Sequence, residues 1–234
     1  MFDDENKKLG KGLERNARVA GIFYLITFLT SIPAVFLLDP ILHNVNFITG
    51  TGSVSSILLG CLLDVCNAIA CIGTAVAIYP IVQKQNVSLA LGFITSRIFE
   101  AAVIMIGVVS LLAVVTLRQA HLNDTNVDLA ALKLLGESLV ELRNWTFLLG
   151  PGLVPAINGL LLGTLLYQSK LIPRIIPIMG LIGAPLLLAS AIATMFGAID
   201  QVSAIAAVAG LPIAVWELAL GTWLAFKGIR IKSE

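Results

Sequence analysis

The chain has 234 residues, of which 58% are hydrophobic and 12% charged, and its mean hydropathy is +0.95. An ordinary soluble domain carries about 25% charged residues, so this composition excludes one and places the chain among integral membrane proteins. The formal net charge of +1 is dispersed, with no basic stripe, and gives no reason to expect nucleic acid.

A helix that crosses a bilayer needs roughly 20 mainly apolar residues. The sequence supplies six such stretches, at about 19–38, 54–79, 88–117, 145–168, 175–198 and 202–227. The first follows Lys7, Lys8, Lys11, Arg15 and Arg18, as a signal peptide would, but its length and the lack of a small-x-small site before Asp39 predict a retained span. The polar loop at 39–53 contains His43 without a second histidine or cysteine nearby, so no metal is expected there. Three cysteines, Cys61, Cys66 and Cys71, all fall in the second span. Their spacing of five does not bring them to one helix face, and they read as small side chains compatible with a membrane.

Between the third and fourth spans, residues 127–142 predict an amphipathic helix on the outer surface. Thr125 and Asp128 have the spacing of a capping box. Leu132, Leu135, Leu139 and Leu142 share one face, with Lys133, Glu137 and Glu141 on the other. Such a helix packs along the bundle or lies in the interface, and alternatively it lids an outer cavity. Trp145 suits a headgroup boundary. The fourth span contains "GPGLVPAING" from Gly150, where two prolines each remove a backbone donor. Gly152, Ala156, Gly159 and Gly163 predict a smooth face for close packing, with a broken helix beside a cavity as the alternative. Lys170 and Arg174 flank the next turn, where they would contact anionic headgroups or hold a phosphate-bearing lipid substrate.

Six spans put both termini on one side. That side carries eleven lysines and arginines, against Arg118, Lys133 and Arg143 on the other, so the termini are expected in the cytoplasm.

Four ionisable residues lie well inside spans: Asp64, Arg97, Glu100 and Glu217. Each costs about 2.5 to 3.5 kcal/mol at a helix centre, so they must face protein or water. Counted from the span ends at 1.5 Å per residue, all four fall near the midplane and are expected in one layer. Arg97 and Glu100 are three apart and share a helix face. Asp64, Asn67 and Cys71 share a face of the second span, and Asn158 reaches the same depth in the fourth. Three carboxylates against one guanidinium leave an excess that a proton or a bound cation would relieve.

Four stretches, "RVAGIFYLI" from Arg18, "SRIFEAA" from Ser96, "SKLIPR" from Ser169 and "LPIAVWELALGTWLAFKG" from Leu211, resemble in order and spacing a bacterial family of six-span membrane proteins known as a domain of unknown function. The resemblance covers nearly the whole chain. It implies that Arg97, Glu100 and Glu217 belong to the family's pattern, and it carries no activity.

The expectation is therefore a single all-α membrane domain over 1–234: a polytopic bundle of six transmembrane helices plus one outer amphipathic helix, in the cytoplasmic membrane of a bacterium. Its candidate polar site comprises Asp64, Asn67, Arg97, Glu100, Asn158 and Glu217. No cofactor or metal is implied, and besides the lipid bilayer a small-molecule or lipid substrate is the expected partner. Three functions fit: a small permease-like transporter with one proton-exchanging carboxylate, an enzyme acting on a lipid-linked substrate, and a subunit whose charges only fix assembly.

Overall fold

A computed structural model of the protein describes residues 2–44, 47–50, 52–123 and 128–230, with residues 2–9 described by their backbone alone. Seven helices form where the apolar stretches run: α1 (Phe2–Leu42), α2 (Val54–Val82), α3 (Val87–Asn123), α4 (Leu129–Leu149), α5 (Val154–Ser169), α6 (Ile175–Met195) and α7 (Ala204–Phe226). Short polar residues start four of them. Ser53 accepts from the Ser56 N–H, Asn86 from Leu89, Asp128 from Ala130 and Ala131, and Ser203 from Ala206, each bond satisfying a donor that a helix start leaves free. Six segments are long and apolar enough to cross a membrane, α4 and α5 together forming the fourth.

The first three helices are longer than the spans expected of them, while α6 and α7 are slightly shorter. α1 continues through Asp39 and Pro40, so the first loop begins only at His43, whose Nδ1 lies 3.0 Å from Asp39 on the exposed surface. The stretch expected as an outer amphipathic helix is helical from Leu129, but it does not stop before the fourth span. It runs on through Arg143 and Trp145 to Leu149. Thr125 lies outside the described residues, and Asp128 itself supplies the cap. The buried residues of α4 are Leu132, Gly136, Arg143, Thr146 and Leu148, whereas Leu135 and Leu142 of the expected stripe are exposed. The cause is that neighbours recruit the other face: Ile48 packs at Gly136, and Arg143 is drawn inward by a carboxylate.

α1 packs on α2 and α7, α2 on α3, α3 on α4 and α5, α5 on α6, and α6 on α7, which closes a ring. Gly21 and Gly221 let α1 and α7 approach closely: a Cβ at Gly21 would lie 2.7 Å from the Gly221 carbonyl oxygen. Gly228, just past α7, lies against Glu14 of α1, so both ends of the described chain sit at one end of the ring, here called the terminal end. At the opposite, loop end, Arg118 donates to the carbonyls of Gly50 and Gly52 at 3.0 Å each and lies over the Phe47 ring, which ties the first loop to α3.

Two apolar cores fill the ring. One, toward the terminal end, centres on Tyr24, Ile78, Phe93, Leu165, Trp216 and Leu224. The other, toward the loop end, gathers Leu38, Phe47, Ile57, Leu111 and Leu132. The periphery is also apolar, with Leu29, Phe36, Ile69 and Val109 largely exposed, while Asp64, Arg97, Glu100 and Arg143 are buried. Apolar outside and charged inside is the arrangement of a chain whose surrounding solvent is lipid.

Candidate functional site

The four buried ionisable residues form two layers rather than the single layer expected. Asp64 on α2 accepts a hydrogen bond from Arg143 Nη2 of α4 at 3.3 Å, and both side chains are buried. Thr74, which belongs to the second layer, lies ten residues further along α2, about 15 Å at the helical rise. Depth counted from span ends misses this separation because it leaves Arg143 on the outer side, between the amphipathic helix and the fourth span, and so gives Asp64 no partner of its own. Once α4 is continuous, Arg143 is inside the bundle and is the nearer partner for Asp64.

The second layer is built around Arg97 of α3, which is 2% exposed. Its Nη1 donates to Glu100 Oε2 at 2.9 Å and its Nε to Thr74 Oγ1 at 3.1 Å. The Thr74 hydroxyl itself donates to the Cys71 carbonyl, which leaves its oxygen free to accept from Arg97. The guanidinium also lies 5.2 Å from the centre of the Tyr24 ring on α1, within the range of a cation–π contact. Glu100 Oε2 accepts a second bond, from Asn158 Nδ2 of α5 at 2.8 Å, which fixes the orientation of that amide. Glu217 of α7 is held differently. Its Oε1 stands 3.7 Å from Arg97 Nη1, close enough for an ion pair and too far for a hydrogen bond.

This layer is incompletely paired. Arg97 Nη2, Glu217 Oε1, Asn158 Oδ1 and the Tyr24 hydroxyl are all buried without a hydrogen-bond partner. An unmade bond of this kind costs about 1 to 3 kcal/mol, and more for a charged group. Beside them lies a cavity of about 220 Å³, with Cys71, Arg97, Glu100 and Glu217 in its wall. A second cavity, of about 200 Å³, is lined by Asp64 and Arg143. The two share Ser31, Asn67 and Pro151 in their walls, so they adjoin, with Asn67 between the charge layers. On the lip of the second cavity, Ile32 and Val35 of α1 are 54% and 49% exposed, which opens that cavity toward the apolar periphery.

The proline run of the fourth span makes room for this space. α4 stops at Leu149 and α5 starts at Val154, so Gly150 to Leu153 break the helix. Pro151 faces both cavities and Pro155 one of them. Gly159 and Gly163 further along do provide the smooth face, as a Cβ at Gly159 would meet Ala184 and the Gly180 carbonyl at 3.3 Å. Both readings of the run therefore hold, in different halves of it.

Of the expected site residues, Arg97, Glu100, Asn158 and Glu217 come together, Asn67 bridges to Asp64, and Lys170 and Arg174 do not join them. Those two are exposed at the turn between α5 and α6, where Arg174 lies over Tyr167 and Lys170 adopts a left-handed conformation with φ of 57°. Sequence reasoning missed Tyr24, Thr74 and Arg143. Arg143 was detectable, because it continues the helical spacing of Leu132 and Gly136. Tyr24 and Thr74 carry no pattern that separates them from other core residues. Among the described residues no three His, Cys, Asp or Glu side chains converge on a metal position.

Six apolar spans closed around a charged interior define a multi-pass α-helical membrane protein. The profile of the family described as a domain of unknown function (DUF4386) matches residues 19–228, and the chain belongs to that family. Comparison with curated proteins finds no match. Comparison with solved structures likewise finds none.

Proposed function

We propose that the protein is a small permease-like carrier of the bacterial cytoplasmic membrane, in which the Arg97, Glu100 and Glu217 layer binds a solute and Glu217 exchanges a proton. The observation that carries this reading is the cavity of about 220 Å³ set against unpartnered buried groups of that layer. A brace that only fixed helix register would gain from closing the space and pairing every charge. A lipid enzyme of the kind the sequence allows would bring Lys170 and Arg174 to the mouth of the site, and they lie elsewhere. Proton exchange follows from charge: two carboxylates surround one guanidinium, and a proton on one carboxylate restores neutrality. Cytoplasmic termini are supported by the excess of Lys and Arg at the terminal end, since Arg118 and Arg143 of the other side are buried in the protein.

An infrared pH titration of the protein in lipid tests this. The carrier reading expects a protonated-carboxyl band that titrates in the wild type, persists in Asp64→Asn and disappears in Glu217→Gln. If no carboxyl band titrates and Glu217→Gln loses its fold, the layer is a brace and the reading is wrong.

A further inference from the structure

The site's own charges and the chemistry of its mouth select a class of ligand. We propose that the cavity beside Glu217 binds a protonated amine with an apolar body, a lipophilic organic cation whose ammonium group donates to Glu217 Oε1. The inference rests on the carrier reading and adds the substrate class to it.

Charge is the first argument. Arg97 Nη1 is hydrogen-bonded to Glu100 at 2.9 Å and stands 3.7 Å from Glu217, so Glu217 is the carboxylate that has the ion pair without the hydrogen bond. Its Oε1 is an acceptor with nothing to accept from. The charged and titratable groups around it are Tyr24 on α1, Cys71 on α2, and Arg97 and Glu100 on α3; the α5 contribution is the neutral Asn158, and α6 has no ionisable residue. A monovalent cation brings this set to two carboxylates against two cations. A zwitterion leaves the negative excess unchanged, and an anion adds a third carboxylate in a place of low dielectric. The unpartnered acceptor also distinguishes a protonated amine, which has N–H groups to donate, from a quaternary ammonium, which has none.

Shape and polarity supply the second argument. Above the charged floor, the cavity wall is Phe28 of α1, Leu187 of α6 and Ile213 of α7. These residues give an apolar body a hydrocarbon wall, beside the carboxylate that takes the cationic head. Binding exchanges one cation for one proton: the carboxyl of Glu217 releases its proton as the ammonium takes its place, so charge and atoms balance.

The experiment uses the full chain in nanodiscs of phosphatidylcholine, which carry no net charge to collect cations. Binding of radiolabelled phenethylamine is measured in competition with unlabelled phenethylamine, phenylalanine and 3-phenylpropionate, which share a ring and differ in charge. The expected result is binding of phenethylamine that phenylalanine and 3-phenylpropionate displace at least tenfold less well than phenethylamine itself. Glu217→Gln should weaken it at least tenfold, Glu217→Asp less, with proton release on binding to the wild type. Equal competition by all three compounds would mean nonspecific filling by any apolar body and would overturn the proposal. So would preference for the zwitterion or the anion, or no binding of phenethylamine to the folded wild type. The two readings fail separately. A titrating Glu217 band without amine binding removes the substrate class and leaves the carrier, whereas amine binding without proton release or a titrating band removes the proton coupling and leaves the site.

Discussion

Glu100 and Glu217 flank the same guanidinium, but they are held by different numbers of bonds, and that difference separates structure from function. Glu100 Oε2 accepts from Arg97 at 2.9 Å and from Asn158 at 2.8 Å, so its carboxylate joins α3 to α5. Hydrogen bonds to charged groups contribute about 1.5 to 3 kcal/mol each. Glu100→Gln should therefore lower stability by about 2 to 3 kcal/mol, read as thermal unfolding of the purified protein in one detergent. Glu217 makes no hydrogen bond through Oε1 and stands 3.7 Å from Arg97. Its replacement by Gln should cost less than about 1 kcal/mol, the worth of one ordinary hydrogen bond. Equal losses from the two substitutions would show Glu217 to be as much a structural partner as Glu100, and the functional assignment of Glu217 would fall. A residue kept acidic inside a membrane without stabilising the fold is the pattern expected of a group that binds something.

At the scale of the elements, the helix break between α4 and α5 creates the space that those residues face. Its conformation depends on Gly152, where a Cβ would lie 2.6 Å from the Leu148 carbonyl oxygen and 3.1 Å from the Leu148 Cα. Both are backbone atoms, so an alanine cannot be accommodated by rotating a side chain. Gly152→Ala should destabilise by about 1 to 3 kcal/mol, the usual range for overpacking. The same measurement on Gly92→Ala, where a Cβ would meet only Leu161 at 3.6 Å, should show a far smaller change. If Gly152→Ala unfolds at the wild-type temperature, the break is not held in this conformation. The existence of the break was legible in the sequence, since two prolines and two glycines stand within six residues. What the break would border was not legible, because that depends on α1 and α7, which are distant in sequence. The six spans were legible for the opposite reason: apolar length is a local property. Arg143 was expected on the outer side because a charged residue between apolar runs reads as a boundary, and its buried partner, Asp64, is 79 residues away.

For the whole molecule, the question is which side of the membrane the cavity meets. Toward the terminal end, α1 and α7 close on one another at Gly21 and Gly221, above a core that contains Tyr24, Trp216 and Leu224. Toward the loop end, a second cavity adjoins the first at Asn67 and is lined by the Asp64–Arg143 pair, a single hydrogen-bonded contact at 3.3 Å. The loop end is thus the more weakly closed of the two. Cys71 stands in the cavity wall and reports access without any added group. In a Cys61→Ser, Cys66→Ser background, a membrane-impermeant thiol reagent should label Cys71 faster when applied to the loop-end side than to the terminal side. Arg143→Gln removes the charge that holds Asp64 and should accelerate labelling from the loop-end side. A carrier must also expose the site to the other side, so labelling from the terminal side has to be measurable in the same preparation. A ligand that favours one state must then change the ratio of the two rates, since it shifts the equilibrium only by its difference in affinity for the two states. Labelling from the loop-end side alone, unchanged by any ligand, would make this a binding pocket that never turns over, and the permease reading would fail even if the amine binds.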